Sequence, residues 1–247
     1  MNDASSFLAP YHHAEDGRIR VTAEQGSRFA KDVAGDHNPL HDVGARRFCV
    51  PGDLLCALAL ARYGLSTDMT FRFRDMVGPN EAVYFPDSDE ERIALRGEQD
   101  GVFLEVERAG EVTFDDGRIE PFVREYVAFS GKTFPHYMIP VLREKGVMFH
   151  PERPFVIYDS MGFDLETFDF ERPEPELSGI ELAVDGKRGD TVLRFEFRDG
   201  GRTVGAGWKK LVIGGLRPYD EDRMQSFVEE FNRRKDAYEA ERDERSD

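Results

Sequence analysis

Val33-Ala34-Gly35-Asp36-His37-Asn38-Pro39-Leu40-His41, followed after a short gap by Val50-Pro51-Gly52-Asp53-Leu54-Leu55, is the stretch on which the reading of the chain turns. It brings an acid, an amide and an imidazole within six residues, with Gly35 and Pro39 to shape the turn between them. Asp36 and His41 form a candidate acid/base pair. Gly52 opens the most apolar run in the chain, Leu54 to Ala61. A helix beginning there presents unpaired backbone N–H groups, and the positive end of its dipole, to whatever the pair holds.

Working outward, Thr22 and Gln25 have capping-box spacing, so a helix is predicted over 23–33, with Phe29, Ala30 and Val33 on one face and Gly35 ending it. Pro39 disfavours helix at Asn38, which makes 36–41 a turn. The helix over 52–63 is apolar nearly all round, apart from Asp53 and Arg62, and Gly64 caps it. Such a helix must be wrapped. Alternating or β-rich runs at 19–21, 69–74, 81–85, 92–97, 102–109, 111–114 and 121–129 supply strands to wrap it. Residues 19–130 therefore read as one α+β unit, an antiparallel sheet around a central helix.

The order then repeats without residue-level similarity. A second helix is expected over 134–149, kinked or restarted at Pro140. Strands follow at 155–158, 164–170, 179–184, 191–198 and 202–213. The organisation expected is an N-terminal arm (1–18), a first unit carrying the motif (19–130), a second unit without it (131–217), and a charged terminal helix with its tail (218–247). On that helix Met224, Phe227, Val228, Phe231 and Tyr238 make a docking stripe, and the last residues from 239 fray.

Composition narrows the function classes. The 247 residues hold 33 basic and 49 acidic side chains, net −16, which disfavours nucleic acid and anionic membranes as partners. With 40% hydrophobic residues and 20 Phe the chain can bury a core. Its two cysteines, Cys49 and Cys56, read as buried thiols, neither a disulfide framework nor a metal site. No run approaches the roughly 20 apolar residues of a membrane span, and Met1 to Pro10 has no basic region leading into an apolar stretch, so no signal peptide is expected. A cytoplasmic protein with no cofactor and no metal is expected.

Small-Gly-Asp-x-Asn-Pro-aliphatic-His, as Ala34 to His41 spells it, resembles the signature of the MaoC-like (R)-specific enoyl-CoA hydratases, a family of the hotdog superfamily. Val50 to Leu55 is similar to the start of that family's central helix. The resemblance implies a hotdog fold for 19–130, and a tandem double hotdog if 131–217 follows suit. It implies water addition to, or removal from, an enoyl or 3-hydroxyacyl thioester of coenzyme A as substrate. Asp36 and His41 would share acid and base work. Asn38 would hold the water or the acyl group, and Pro51 and Gly52 would bind substrate, the Gly52 N–H polarising the thioester carbonyl. The alternative is a non-catalytic hotdog that binds an acyl thioester or serves as a scaffold. Pairing is expected either between the halves of one chain, as a pseudo-dimer, or between chains, as a homodimer.

Two departures accompany the resemblance. The step from His41 to Gly52 is eleven residues, which shortens the segment covering the acyl site, and Asp53 sets an acid beside the carbonyl site, where it would oppose an enolate. Other polar groups read as solvent-facing, His12 and His13 in the arm and His37 inside the motif, while His136 and His150 around the second helix read as caps or surface groups. Arg46 and Arg47, and more weakly Lys209 and Lys210, are candidates for the phosphates of coenzyme A. Gly205-Ala206-Gly207 sits in a strand pattern and marks a bulge rather than a nucleotide loop.

Overall fold

Capping, alternation and left-handed glycines set most element boundaries in the computed structural model, which describes residues 7–244. In chain order these are β1 (His13–Glu15), β2 (Arg18–Arg20), α1 (Ala23–Asp32), α2 (Gly52–Tyr63), β3 (Leu65–Phe73), β4 (Val83–Tyr84), β5 (Arg92–Arg96), β6 (Val102–Thr113), α3 (Asp116–Lys132), α4 (Met138–Glu144), β7 (Val147–Met148), β8 (Phe155–Leu165), β9 (Glu174–Asp185), β10 (Arg188–Asp199), β11 (Arg202–Gly214), β12 (Arg217–Pro218) and α5 (Glu221–Glu244). The capping box holds α1: Thr22 Oγ1 accepts from Gln25 N at 3.1 Å and Gln25 Oε1 from Thr22 N at 3.0 Å. Gly64, at φ +81°, ends α2.

Among the described residues ten strands form one antiparallel sheet in the order β1-β2-β4-β5-β6-β3-β8-β11-β10-β9. The junction is β3 against β8, with Asp68 opposite Asp164 and Arg72 opposite Ser160. Outward from it the first half runs β3-β6-β5-β4 and the second β8-β11-β10-β9. Numbered within each half, both read first, fourth, third, second. Each half also has a buried helix before its first strand, α2 in one and α3 in the other. This is an α+β tandem double hotdog. The core is apolar and aromatic: Leu54, Leu58 and Leu60 of α2 are buried, and Phe122, Tyr126 and Phe129 of α3 meet Phe163, Phe195 and Phe197 of the sheet.

Several elements differ from the sequence reading. Residues 121–129 are not a strand but the body of α3. Asp115 caps this helix, its Oδ1 accepting from Gly117 N at 2.9 Å, and Ile119, Phe122, Val123, Tyr126, Val127 and Ser130 bury one face. The expected boundary at 130 thus falls inside a helix. Residues 111–113 continue β6 past Gly110 rather than forming a new strand, and 155–165 is a single strand. The second helix begins at Asp116, and a wide π turn over Thr133–Tyr137 links α3 to α4. The arm is docked where it is described: β1 pairs with β2, Leu8 is fully buried, and His12 Nδ1 bonds Leu8 O at 3.0 Å; residues 1–6 lie outside the described residues. The terminal helix runs unbroken to Glu244 with Met224 and Phe231 buried; 245–247 lie outside the described residues. No helix among the described residues is long and apolar enough to cross a membrane.

Candidate active site

The motif is a turn pinned from three sides. Gly35 takes φ +62°, and Asp36 N–H reaches back to Ala30 O at 2.7 Å, a six-residue closure that ends α1 and reverses the chain. Gly131 of α3 then packs on it backbone to backbone. Gly131 N donates to Ala34 O at 3.0 Å, and a Cβ at residue 131 would stand 2.4 Å from Gly35 O. On the far side Asn38 Nδ2 donates to Val156 O of β8 at 3.1 Å, while Asn38 Oδ1 accepts from Leu40 N. Both ends of the Asn38 carboxamide are therefore taken up in holding the turn, and they tie it to the second half.

Within the turn the acid and the imidazole converge. Both are 8% exposed. Asp36 Oδ1 accepts from Asn38 N at 2.9 Å, an Asx turn, which leaves Oδ2 toward His41 Nε2 at 3.7 Å. His41 Nδ1 lies 2.8 Å from Cys49 O. A carbonyl only accepts, so Nδ1 carries hydrogen and the neutral ring turns the lone pair of Nε2 toward Asp36. Burial pushes the Asp36 carboxyl above the usual carboxylate range, opposed by His41 and the Asn38 N–H.

Asp36, Asn38, His41 and Gly52 line a single cavity of about 240 Å³ at the junction of the halves. Its apolar wall includes Leu40, Val50, Leu55, Phe73, Val156 and Leu211, and its second-half polar wall is Ser130, Thr133 and Tyr158. Gly52 begins α2 behind Pro51, a cap with no side-chain acceptor to offer, and the Gly52 N–H has no partner among the described residues. Space explains the glycine: a Cβ there would meet Phe73 at 3.0 Å and Tyr158 at 3.1 Å. Pro51 does not line the cavity. It is buried and its carbonyl accepts the Leu54 and Leu55 N–H groups, setting the helix start.

Asp53 does not oppose charge in the cavity as the sequence suggested. It is 2% exposed and turned to the other side of α2, where Oδ1 meets Lys209 Nζ at 3.0 Å. Lys209 is 0% exposed and is no phosphate ligand. Strand alternation puts it inward on β11 and sends Lys210 outward to Asp159. Lys209 Nζ also bonds Tyr126 O and Ser130 Oγ, both at 2.9 Å, and lies 4.5 Å from the Tyr126 ring centroid. This ion pair joins α2 of one half to β11 of the other. Neither partner was read in this role: Lys209 was a weak phosphate candidate and Asp53 an acid beside the carbonyl site. The one sequence signal was that Lys209 shares a strand face with Leu211 and Ile213.

The remaining candidates scatter. Arg46 and Arg47 are exposed and away from the cavity lining. His37 is not solvated: it packs edge-on against Phe231 and Tyr238 of α5, and burial, aided by Lys31 and Lys235, lowers its pKa to about 4. His136 is exposed, and His150 is half-buried. Cys56 is buried and Cys49 half-buried. The expected bulge lies beside Gly205, at Val204, and a second one falls at Asp159.

Fold and cavity together define a tandem hotdog protein whose two halves line one cavity that holds the Asp36 carboxyl and the His41 imidazole. The chain belongs to the family described as "Protein of unknown function (DUF3581)", which matches residues 6–222. No curated protein matches it in sequence. Among solved structures it is similar to an acyl-CoA thioesterase II, TesB2, from Mycobacterium marinum, with 12% identity over 86% of this chain and 98% of that one and a TM-score of 0.39. It is also similar to a MaoC-like dehydratase, with 10% identity over 81% and 97% and a TM-score of 0.41. A conserved protein of unknown function with a hot dog fold from Alicyclobacillus acidocaldarius shares 10% identity over 86% and 98%, at a TM-score of 0.45. At these identities and TM-scores the likenesses carry no functional weight.

Proposed function

We propose that the chain is a hydratase or dehydratase of short acyl thioesters. One observation carries the reading: a buried carboxyl and an imidazole 3.7 Å apart share one cavity with an unpaired helix-start N–H. Hydration needs a proton removed and a proton delivered close together, and donors where negative charge collects. A water bonded to both Asp36 Oδ2 and His41 Nε2 would lose a proton to the pair as its oxygen bonds to C3 of the enoyl thioester. The displaced electron pair would move through C2 onto the carbonyl oxygen, which the Gly52 N–H would stabilise. The pair would then return a proton to C2. Dehydration runs the same steps backward. The cavity, about 240 Å³, lies below the ~300–1,000 Å³ typical of drug-sized ligands, which favours a short acyl chain such as crotonyl. A pseudo-dimer within the chain suffices for such a site, because both halves already line it.

The test is crotonyl-CoA hydration, followed as loss of enoyl-thioester absorbance. Wild type is expected to turn over, and Asp36→Asn and His41→Ala to lose about 10²–10⁴-fold in kcat/KM with unchanged melting behaviour. A folded wild-type chain inert toward C4 to C8 enoyl thioesters would reject the reading. Asn38 uses each end of its carboxamide to hold the turn, and this structural duty favours a second reading: binding of an acyl thioester without chemistry. That reading expects thermal stabilisation by crotonyl-CoA and no product.

A further inference from the structure

The second half faces Asp36 and His41 with three hydroxyls, and only one of them is free. Thr133 Oγ1 is spent on its own helix, donating to Phe129 O at 3.0 Å. Ser130 Oγ and Tyr158 Oη lie 2.6 Å apart, and Ser130 Oγ also contacts Lys209 Nζ. Donor counting orients the first link of this chain. An ammonium has three N–H groups and no lone pair, and Lys209 Nζ has three acceptors around it, Asp53 Oδ1, Tyr126 O and Ser130 Oγ. Ser130 therefore receives an N–H from Lys209. Ser130 and Tyr158 share one hydrogen bond in which either hydroxyl can donate, so the pair keeps one O–H over on the cavity wall with no acceptor among the described residues. With Ser130 donating to Tyr158, that spare O–H is the Tyr158 phenol.

Backbone geometry aims that group. Leu211 pairs with Tyr158 and Lys210 with Ser160, so Asp159 is an extra residue in β8. Strict alternation back from Leu165, Phe163 and Met161 would turn Asp159 and Ile157 inward. The bulge reverses the parity and turns in Tyr158 and Val156 instead. The Tyr158 ring also stands beside Gly52, since a Cβ on residue 52 would be 3.1 Å from Tyr158 Cδ2.

We propose that the Tyr158 hydroxyl, polarised by the buried Lys209 cation through Ser130, is a second donor to the carbonyl oxygen of the bound acyl thioester, beside the Gly52 N–H. This rests on the acyl-thioester reading of the cavity. Tyr158 keeps its proton throughout. As the water oxygen bonds to C3, charge reaching the carbonyl oxygen is shared by the phenol and the amide, and it flows back when C2 is protonated. Lys209 and Ser130 are positioning residues.

Tyr158→Phe removes one oxygen and keeps the ring packing on Phe73. Its kcat for crotonyl-CoA is expected to fall about 10²-fold or more with little change in KM, as for loss of one oxyanion donor. Ser130→Ala is expected to fall less. A readout independent of turnover is the infrared carbonyl band of bound ¹³C-labelled butyryl-CoA, which cannot be hydrated. It should shift to lower frequency in wild type and return toward its solution value in Tyr158→Phe. That result without crotonyl-CoA turnover in wild type would sustain the donor and reject only the hydratase. A carbonyl band unchanged by Tyr158→Phe overturns the proposal whatever the turnover, and failure of wild type to bind butyryl-CoA overturns both readings.

Discussion

The two halves share a strand order and a buried helix, yet their helix starts are treated in opposite ways. In the second half α3 begins at the surface, and Asp115 closes its first turn with its own carboxylate. In the first half α2 begins beside the cavity, behind a proline that offers no acceptor, and its N–H is left over. The first half also owns the acid, the imidazole and most of the apolar wall, while the second supplies the hydroxyls and the buried cation behind them. One layout thus carries two kinds of chemistry: one half holds the titratable acid and imidazole, and the other holds the hydroxyls and a fixed buried charge. The cavity needs both, so neither half carries the site alone.

The largest effect expected from breaking this division is at its charged seam. Lys209→Met strands Asp53 in an apolar interior and frees two further acceptors, Tyr126 O and Ser130 Oγ. Breaking a buried pair in this way costs about 3–5 kcal/mol. Lys209→Met combined with Asp53→Leu should recover most of that loss. Urea unfolding of the single and double variants measures it. A single variant within about 1 kcal/mol of wild type, a change typical of surface positions rather than seams, would mean the pair does not hold the halves together.

Next in size is a pH effect confined to the first half. His37, 7% exposed, titrates at about 4 in the folded chain instead of 6.5. Between those values the unfolded chain binds the extra proton, so stability falls as pH drops through the window, by about 3 kcal/mol in full. Asp36 acts with the opposite sign. Its raised pKa means the folded chain keeps a proton that the unfolded chain has released above 3.8, so its contribution is lost as pH rises. His37→Asn should flatten the fall in urea midpoint from pH 6.5 to 4, and Asp36→Asn should steepen it. Parallel curves for all three proteins would show that Asp36 and His37 do not titrate as their burial requires.

What the sequence displayed and what it hid divides along similar lines. Features written locally were legible: the capping box at Thr22 and Gln25, the left-handed Gly35 and Gly64, the apolar α2, and the long alternating strands. The segment 121–129 was misread because Phe, Val and Tyr have strand-like composition, although the spacing of 119, 122, 123, 126, 127 and 130 is helical. Lys209 was read as a weak phosphate candidate although it alternates with Leu211 and Ile213, and its partner Asp53 is 156 residues away with nothing in the pattern to join them. Tyr158 was hidden by the bulge at Asp159, because one extra residue inverts every inference drawn from alternation. Asp36, His41 and Gly52 were visible as a motif, whereas the second-half wall they face exists only once β3 and β8 pair.

The smallest expected effects come from exchanging the two helix starts, and they separate stability from binding. Asp115→Ala removes the cap of α3 and should cost about 1 kcal/mol. That helix start is exposed and absent from the cavity wall, so the affinity for butyryl-CoA should not move. Gly52→Ala does the reverse. Replacing a helical glycine by alanine gains about 0.5–1 kcal/mol, while the new methyl presses on Phe73 at 3.0 Å and Tyr158 at 3.1 Å, and both rings must give by a few tenths of an ångström. The two terms offset, and the urea midpoint should stay near wild type. The methyl nonetheless stands between the α2 N–H and the cavity, so butyryl-CoA affinity should fall at least tenfold, about 1.4 kcal/mol. Calorimetry on both variants reads the two quantities side by side. Equal affinities in Gly52→Ala and wild type would show that the open helix end is not where the acyl group lies, and the two helix starts would then differ only in how they are capped.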